Sequence, residues 1–85
     1  MDISRTEQRI LHLMAQGGRI EISRDDDRKI ENVSCFTRDG WLYPGVDLDL
    51  FRKLKRLKAI KSSGGQPYRI TERGLTLVRS QLDNR

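Results

Sequence analysis

The sequence predicts an α+β fold in one domain over residues 1–85: a helix, a three-stranded antiparallel meander, a basic helix, a two-stranded hairpin and a C-terminal helix. Three observations carry this. Ser4 and Glu7 stand at the spacing of a capping box, ahead of a stripe of apolar residues that marks a helix. Residues 19–23 alternate charged and apolar side chains, and Asp39-Gly40 downstream is a strong hairpin signal. Leu50, Phe51, Leu54 and Leu57 recur at three- and four-residue spacing, which places them on one helical stripe about 100° wide.

The elements follow in order. In the first helix, residues 5–16, Ile10, Leu11, Leu13 and Met14 supply the buried face, and Gly17 or Gly18 provides a left-handed stop. His12 projects away from that face and reads as solvated, since a metal site or a catalytic triad needs companions it lacks. In the first strand Ile20 and Ile22 share one side. Asp25, Asp26 and Asp27 make a solvated loop tip; adjacent residues point in different directions and the spacing of a calcium loop is absent. Residues 30–37 form a second strand in which Ile30 and Val33 are out of phase, so a bulge is expected near Glu31-Asn32. Asp39-Gly40 predicts a two-residue type I′ loop with φ > 0 at both positions. Residues 41–43 then return as a third strand, ended by Pro44-Gly45.

The basic helix organises the rest of the chain. Arg52 and Arg56 fall opposite its apolar stripe, Lys53 and Lys55 flank them, and no acid occurs between Arg52 and Lys61. Residues 59–61 and 68–70 bracket Gly64-Gly65, which suits the reversal of a hairpin, and Pro67, with no amide to donate, belongs at a strand edge or start. Thr71 caps a last helix with Glu72 in its first turn. Leu75, Val78 and Leu82 share a stripe; Leu77 lies off it, as a side contact or as part of a partner-facing patch.

Composition narrows the function. A chain of 85 residues hides only about 60 to 65% of the surface it would expose unfolded, so the core is small. The net charge of +5 and the sequence pI of 9.9 favour an anionic partner. Cys35 is the one cysteine, which excludes an intrachain disulfide and fits a reducing cytoplasm. The N-terminus has no apolar signal core and no apolar run is long enough to span a bilayer, so no membrane partner is expected.

No constellation for catalysis is evident. One histidine and one cysteine do not make a nucleophile with its base, a carboxylate pair or a metal cage, so an enzyme, a metal and a cofactor are all not expected. Cys35 reads as a small buried hydrophobe. The segment Ser62 to Gly65 lacks the Gly-Lys-Ser/Thr ending of a phosphate cradle. The candidate binding residues are Arg52, Lys53, Lys55 and Arg56 with Lys61 and Arg69 on the hairpin, a cationic surface for a nucleic acid or an acidic protein. Trp41 and Tyr43 share one side of their strand and are candidate interface aromatics.

Two resemblances add to this reading. The basic helix, the hairpin and the segment ITERGLTLV look like the latter part of a winged helix-turn-helix domain, which makes the fold winged-helix-like; the first half departs by spending residues 19–43 on strands. Four stretches resemble the YjhX-type toxin family: SRTEQRILHLMAQGGRI (4–20), CFTRDG (35–40), FRKLKRLKAIKSSGGQPYRI (51–70) and VRSQLDNR (78–85). The chain departs from that pattern at residues 25–27 and 43–49. The resemblance implies a toxin of a toxin–antitoxin pair that binds DNA topoisomerase I and blocks DNA cleavage and relaxation, with an antitoxin protein as second partner. The residues by themselves also accommodate a winged-helix DNA binder, with DNA as partner, and a small ribonuclease toxin.

Overall fold

The first helix begins where its capping box puts it. In the computed structural model, which describes the backbone of residues 3–83 and the side chains of residues 3–79, the Ser4 hydroxyl accepts the Glu7 N–H at 3.1 Å and Glu7 Oε1 accepts the Ser4 N–H at 2.8 Å. The elements are α1 (Arg5–Ala15), β1 (Arg19–Arg24), β2 (Ile30–Phe36), β3 (Leu42–Tyr43), α2 (Leu48–Arg56), β4 (Ile60–Lys61), β5 (Arg69–Ile70) and α3 (Glu72–Asp83). Their order and the α+β class are those the sequence predicts.

β1, β2 and β3 form an antiparallel sheet in that order. Register runs Ile20 to Cys35, Ile22 to Val33 and Ser23 to Asn32, then jumps to Arg24 with Ile30. Glu31 is therefore the extra residue of the expected bulge. The following turn differs from expectation. Gly40 has φ 91°, whereas Asp39 is not left-handed. A type I′ pair would need both. Instead the Gly40 N–H donates to the Thr37 carbonyl at 2.9 Å and the Thr37 N–H to the Trp41 carbonyl at 2.8 Å, which makes a longer loop with glycine at its left-handed position. The Thr37 hydroxyl favours this loop by accepting the Trp41 N–H at 3.1 Å. Trp41 is thereby drawn out of the strand, and only Leu42 and Tyr43 pair, with Phe36 and Cys35.

The β4–β5 hairpin is tied to this sheet. Ile20 and Tyr68 exchange both backbone hydrogen bonds, at 3.0 and 2.8 Å, so β1 carries the return strand of the hairpin on its outer edge. Between sheet and helices lies one core, built from Ile10, Leu11 and Met14 of α1, Ile20 and Cys35 of the sheet, Phe51 and Leu54 of α2, Ile60 and Val78. Burial of each large apolar side chain among these stabilises the fold by about 1.5 to 3 kcal/mol.

α3 closes the core by a close approach. A Cβ on Gly74 would sit 2.4 Å from the Ala59 carbonyl oxygen, so only glycine lets α3 meet the chain leaving α2. The expected Thr71 cap is present: its hydroxyl accepts the Gly74 N–H at 3.1 Å and donates to the Lys58 carbonyl at 2.6 Å. Leu77 packs against the core as a side contact. Val78 is buried and Leu75 half-buried, while the side chain of Leu82 lies outside the described residues.

Candidate functional site

α2 starts two residues before the Leu50 expected from its stripe. Asp47 is the N-cap, its carboxylate accepting the Leu50 N–H at 2.8 Å, and Asp49 lies in the first turn. The pattern Asp-x-Asp at the mouth of an apolar stripe signals such a start, because side-chain oxygens satisfy the orphan amides and negative charge opposes the positive end of the helix. The stop is a Schellman motif: Ala59 N–H donates to the Leu54 carbonyl at 3.0 Å and Lys58 N–H to the Lys55 carbonyl at 2.9 Å, with Lys58 left-handed at φ 58°. Arg73 Nε then donates to the Leu57 carbonyl at 2.8 Å, placing a cation at the negative end of the helix.

Phe51 and Leu54 are fully buried and Leu57 nearly so, while Leu50 is half-buried. That fixes which way the cations face. Arg52 and Arg56 are exposed and neither takes part in an ion pair among the described residues. Lys55 is exposed, with its ammonium 5.6 Å from the Phe51 ring centre and 5.8 Å from that of Tyr68. Those rings meet edge to face at 4.9 Å, so the cation rests over the seam between helix and hairpin. Lys61 is exposed on β4 and Lys58 at the helix stop.

Two of the cations expected on this surface are held by the chain itself. Lys53 Nζ lies 2.9 Å from Oε2 of Glu7, which is only 5% exposed. Burial raises the pKa of that carboxyl, but the hydrogen bonds from Lys53 and from the Ser4 N–H, with the nearby ammonium charge, outweigh it and leave it below the usual value. Arg69 donates to the Gly17 carbonyl at 3.0 Å and the Gly18 carbonyl at 3.3 Å, so its guanidinium ties β5 to the exit of α1. No local pattern reveals either contact, because each joins residues far apart in the chain.

The aromatics part company as well. Trp41 is 74% exposed, whereas Tyr43 is half-buried and packs against the core. Leu42, not singled out from sequence, is 63% exposed beside Trp41. Elsewhere, burial pushes the Cys35 thiol up to about 11, the opposite of an activated thiolate. Among the described residues no group of His, Cys, Asp and Glu is placed to hold a metal ion. No helix among them is long and apolar enough to cross a membrane.

Comparison with known proteins places this surface in context. All of residues 1–85 match the family of YjhX toxins, whose description reads "putative toxin of bacterial toxin-antitoxin pair". The chain belongs to the YjhX toxin family. It is similar over the full length of both chains to a UPF0386 protein of Rhizobium etli strain CIAT 652, at 99% identity, and to one of Rhizobium rhizogenes, at 82%. A UPF0386 protein of Agrobacterium fabrum is 71% identical over the same span. No solved structure matches the chain. Membership of a toxin–antitoxin family implies an antitoxin as partner.

Proposed function

We propose that the protein is the toxin of a toxin–antitoxin pair that acts without catalysis, binding DNA topoisomerase I and blocking DNA cleavage and relaxation. The outward face of α2 is the docking surface in this reading. The observation that carries it is the exposed state of Arg52 and Arg56, neither in an ion pair among the described residues, on the side of α2 away from buried Phe51, Leu54 and Leu57. Two guanidiniums with no carboxylate partner among the described residues suit carboxylates on a partner protein, to which arginine binds through two parallel hydrogen bonds. Exposed Trp41 and Leu42 supply apolar contact area of the kind that anchors interfaces. The test is supercoil relaxation by topoisomerase I: added protein slows it, and unchanged relaxation at a large molar excess removes the proposal.

A second reading, a winged-helix protein that binds DNA and regulates its own expression, is favoured by the same exposed cations with Lys55, Lys58 and Lys61. Contact with about four to six phosphates gives a slope of log K against log salt of about −4 to −5. A flat salt response rules this reading out.

A further inference from the structure

The exposed face of α2 carries both signs of charge, separated along its axis. Asp47 and Asp49 are exposed at its start, and Arg52, Lys55, Arg56 and Lys58 are exposed towards and just past its end. At about 100° per residue, Asp49 and Arg56 fall within about 20° of one another on the outward face of the helix, with Arg52 about 60° from Asp49 on the same face. Seven residues at about 1.5 Å each separate Asp49 from Arg56 by about 10 Å. Asp49 makes no ion pair among the described residues, and Lys53, four residues on, is already held by Glu7. The carboxylate and the guanidiniums therefore face outward as separate charges.

This polarity is wrong for a nucleic acid. A helix that reads the major groove leads with its N-terminal residues, and the positive end of its dipole there attracts phosphate. α2 leads with two carboxylates, one of which already occupies the Leu50 amide. Both would be repelled by the phosphates lining the groove. A protein surface can answer both signs at once, since interfaces pair opposite charges and exclude partners that juxtapose like ones.

We propose that α2 docks on a two-signed protein surface, an acidic patch bordered by a lysine or arginine about 10 Å away, and that Asp49 selects it over nucleic acid. The inference rests on α2 being the docking face for topoisomerase I. It adds the charge pattern of the partner and a specificity residue absent from the cationic set.

The experiment measures binding of the wild type, Asp49→Lys, Asp49→Asn and Arg52→Glu to purified topoisomerase I and to a short DNA duplex at one salt concentration. Thermal melts of each variant show that it is folded. Asp49→Lys weakens binding to topoisomerase I by about fivefold or more, with Asp49→Asn in between, and strengthens binding to the duplex. Should Asp49→Lys unfold, Asp49→Asn carries the test by weakening topoisomerase I binding on its own. Topoisomerase I binding that is unchanged or tighter when Asp49 is replaced overturns the inference and leaves the docking surface standing. So does a wild type that prefers the duplex. A wild type that does not bind topoisomerase I, or an Arg52→Glu variant that binds as well as the wild type, removes the docking surface itself and the inference with it.

Discussion

Arg52 and Lys53 are neighbours on α2, yet Arg52 faces solvent with no ion pair among the described residues while Lys53 reaches Glu7 at 2.9 Å. The difference follows from geometry. Lys53 turns towards α1, where a nearly buried carboxylate waits at the third position of the helix. Arg52 turns outward and makes no ion pair among the described residues. Equal formal charge thus divides into a part that orients the helix and a part that the oriented helix displays. Composition counts them together, but only contacts across the fold separate them.

Replacing an inward residue of α2 has the largest effect. Leu54→Ala is expected to destabilise the protein by about 2 to 4 kcal/mol, because Leu54 is fully buried and its neighbours relax only in part around the cavity left behind. Chemical denaturation measures this, and a loss below about 1 kcal/mol would put Leu54 outside the core.

Lys53→Met comes next. It strands the Glu7 carboxylate with the Ser4 amide and hydroxyl as its remaining partners and costs about 1 to 2 kcal/mol at neutral pH. The value falls short of that for a fully buried pair because the lysine side chain is 38% exposed and solvent screens it. The sign of the pH dependence follows from the lowered pKa of Glu7. A group whose folded pKa lies below its unfolded value stabilises the fold above the unfolded value, here near 4.5, and that contribution is lost as pH falls through the folded pKa. Melts between neutral pH and pH about 3 are expected to show a steeper acid loss for the wild type than for Lys53→Met; parallel curves would mean that the pair does not act.

The smallest change in stability belongs to the outward residues. Arg52→Ala with Arg56→Ala is expected to shift unfolding by no more than about 0.5 kcal/mol while weakening inhibition of relaxation. If the double replacement unfolded the protein as readily as Leu54→Ala, the division between anchoring and displayed charge would be lost.

The sequence carried the elements further than their connections. The capping box, the bulge at Glu31 and the stripe of α2 rest on spacing within a few residues, and local chemistry decides them. Asp39 misled because the side chain of Thr37, two residues back, favours a longer loop than the Asp-Gly pair signals. Lys53 and Arg69 look like free cations in the sequence, since their partners come from α1 and its exit, far away in the chain. Trp41 and Tyr43 alternate as a strand pair should, and burial still divides them, because the meander pairs only as far as Leu42. The family was legible from motifs spread over most of the chain, whereas the axial polarity of α2 needed its start at Asp47 to be located first.

Glu7 uses its two oxygens separately, Oε1 closing the first turn of α1 against Ser4 and Oε2 gripping Lys53. A protease that clipped the exposed peptide at Arg5 would remove Ser4 together with Ile3, a core residue, and slacken the mount of a helix almost fifty positions downstream. The segment ahead of α1 is in this sense a tensioning strut for the outward face of α2, carrying none of the charges that face displays.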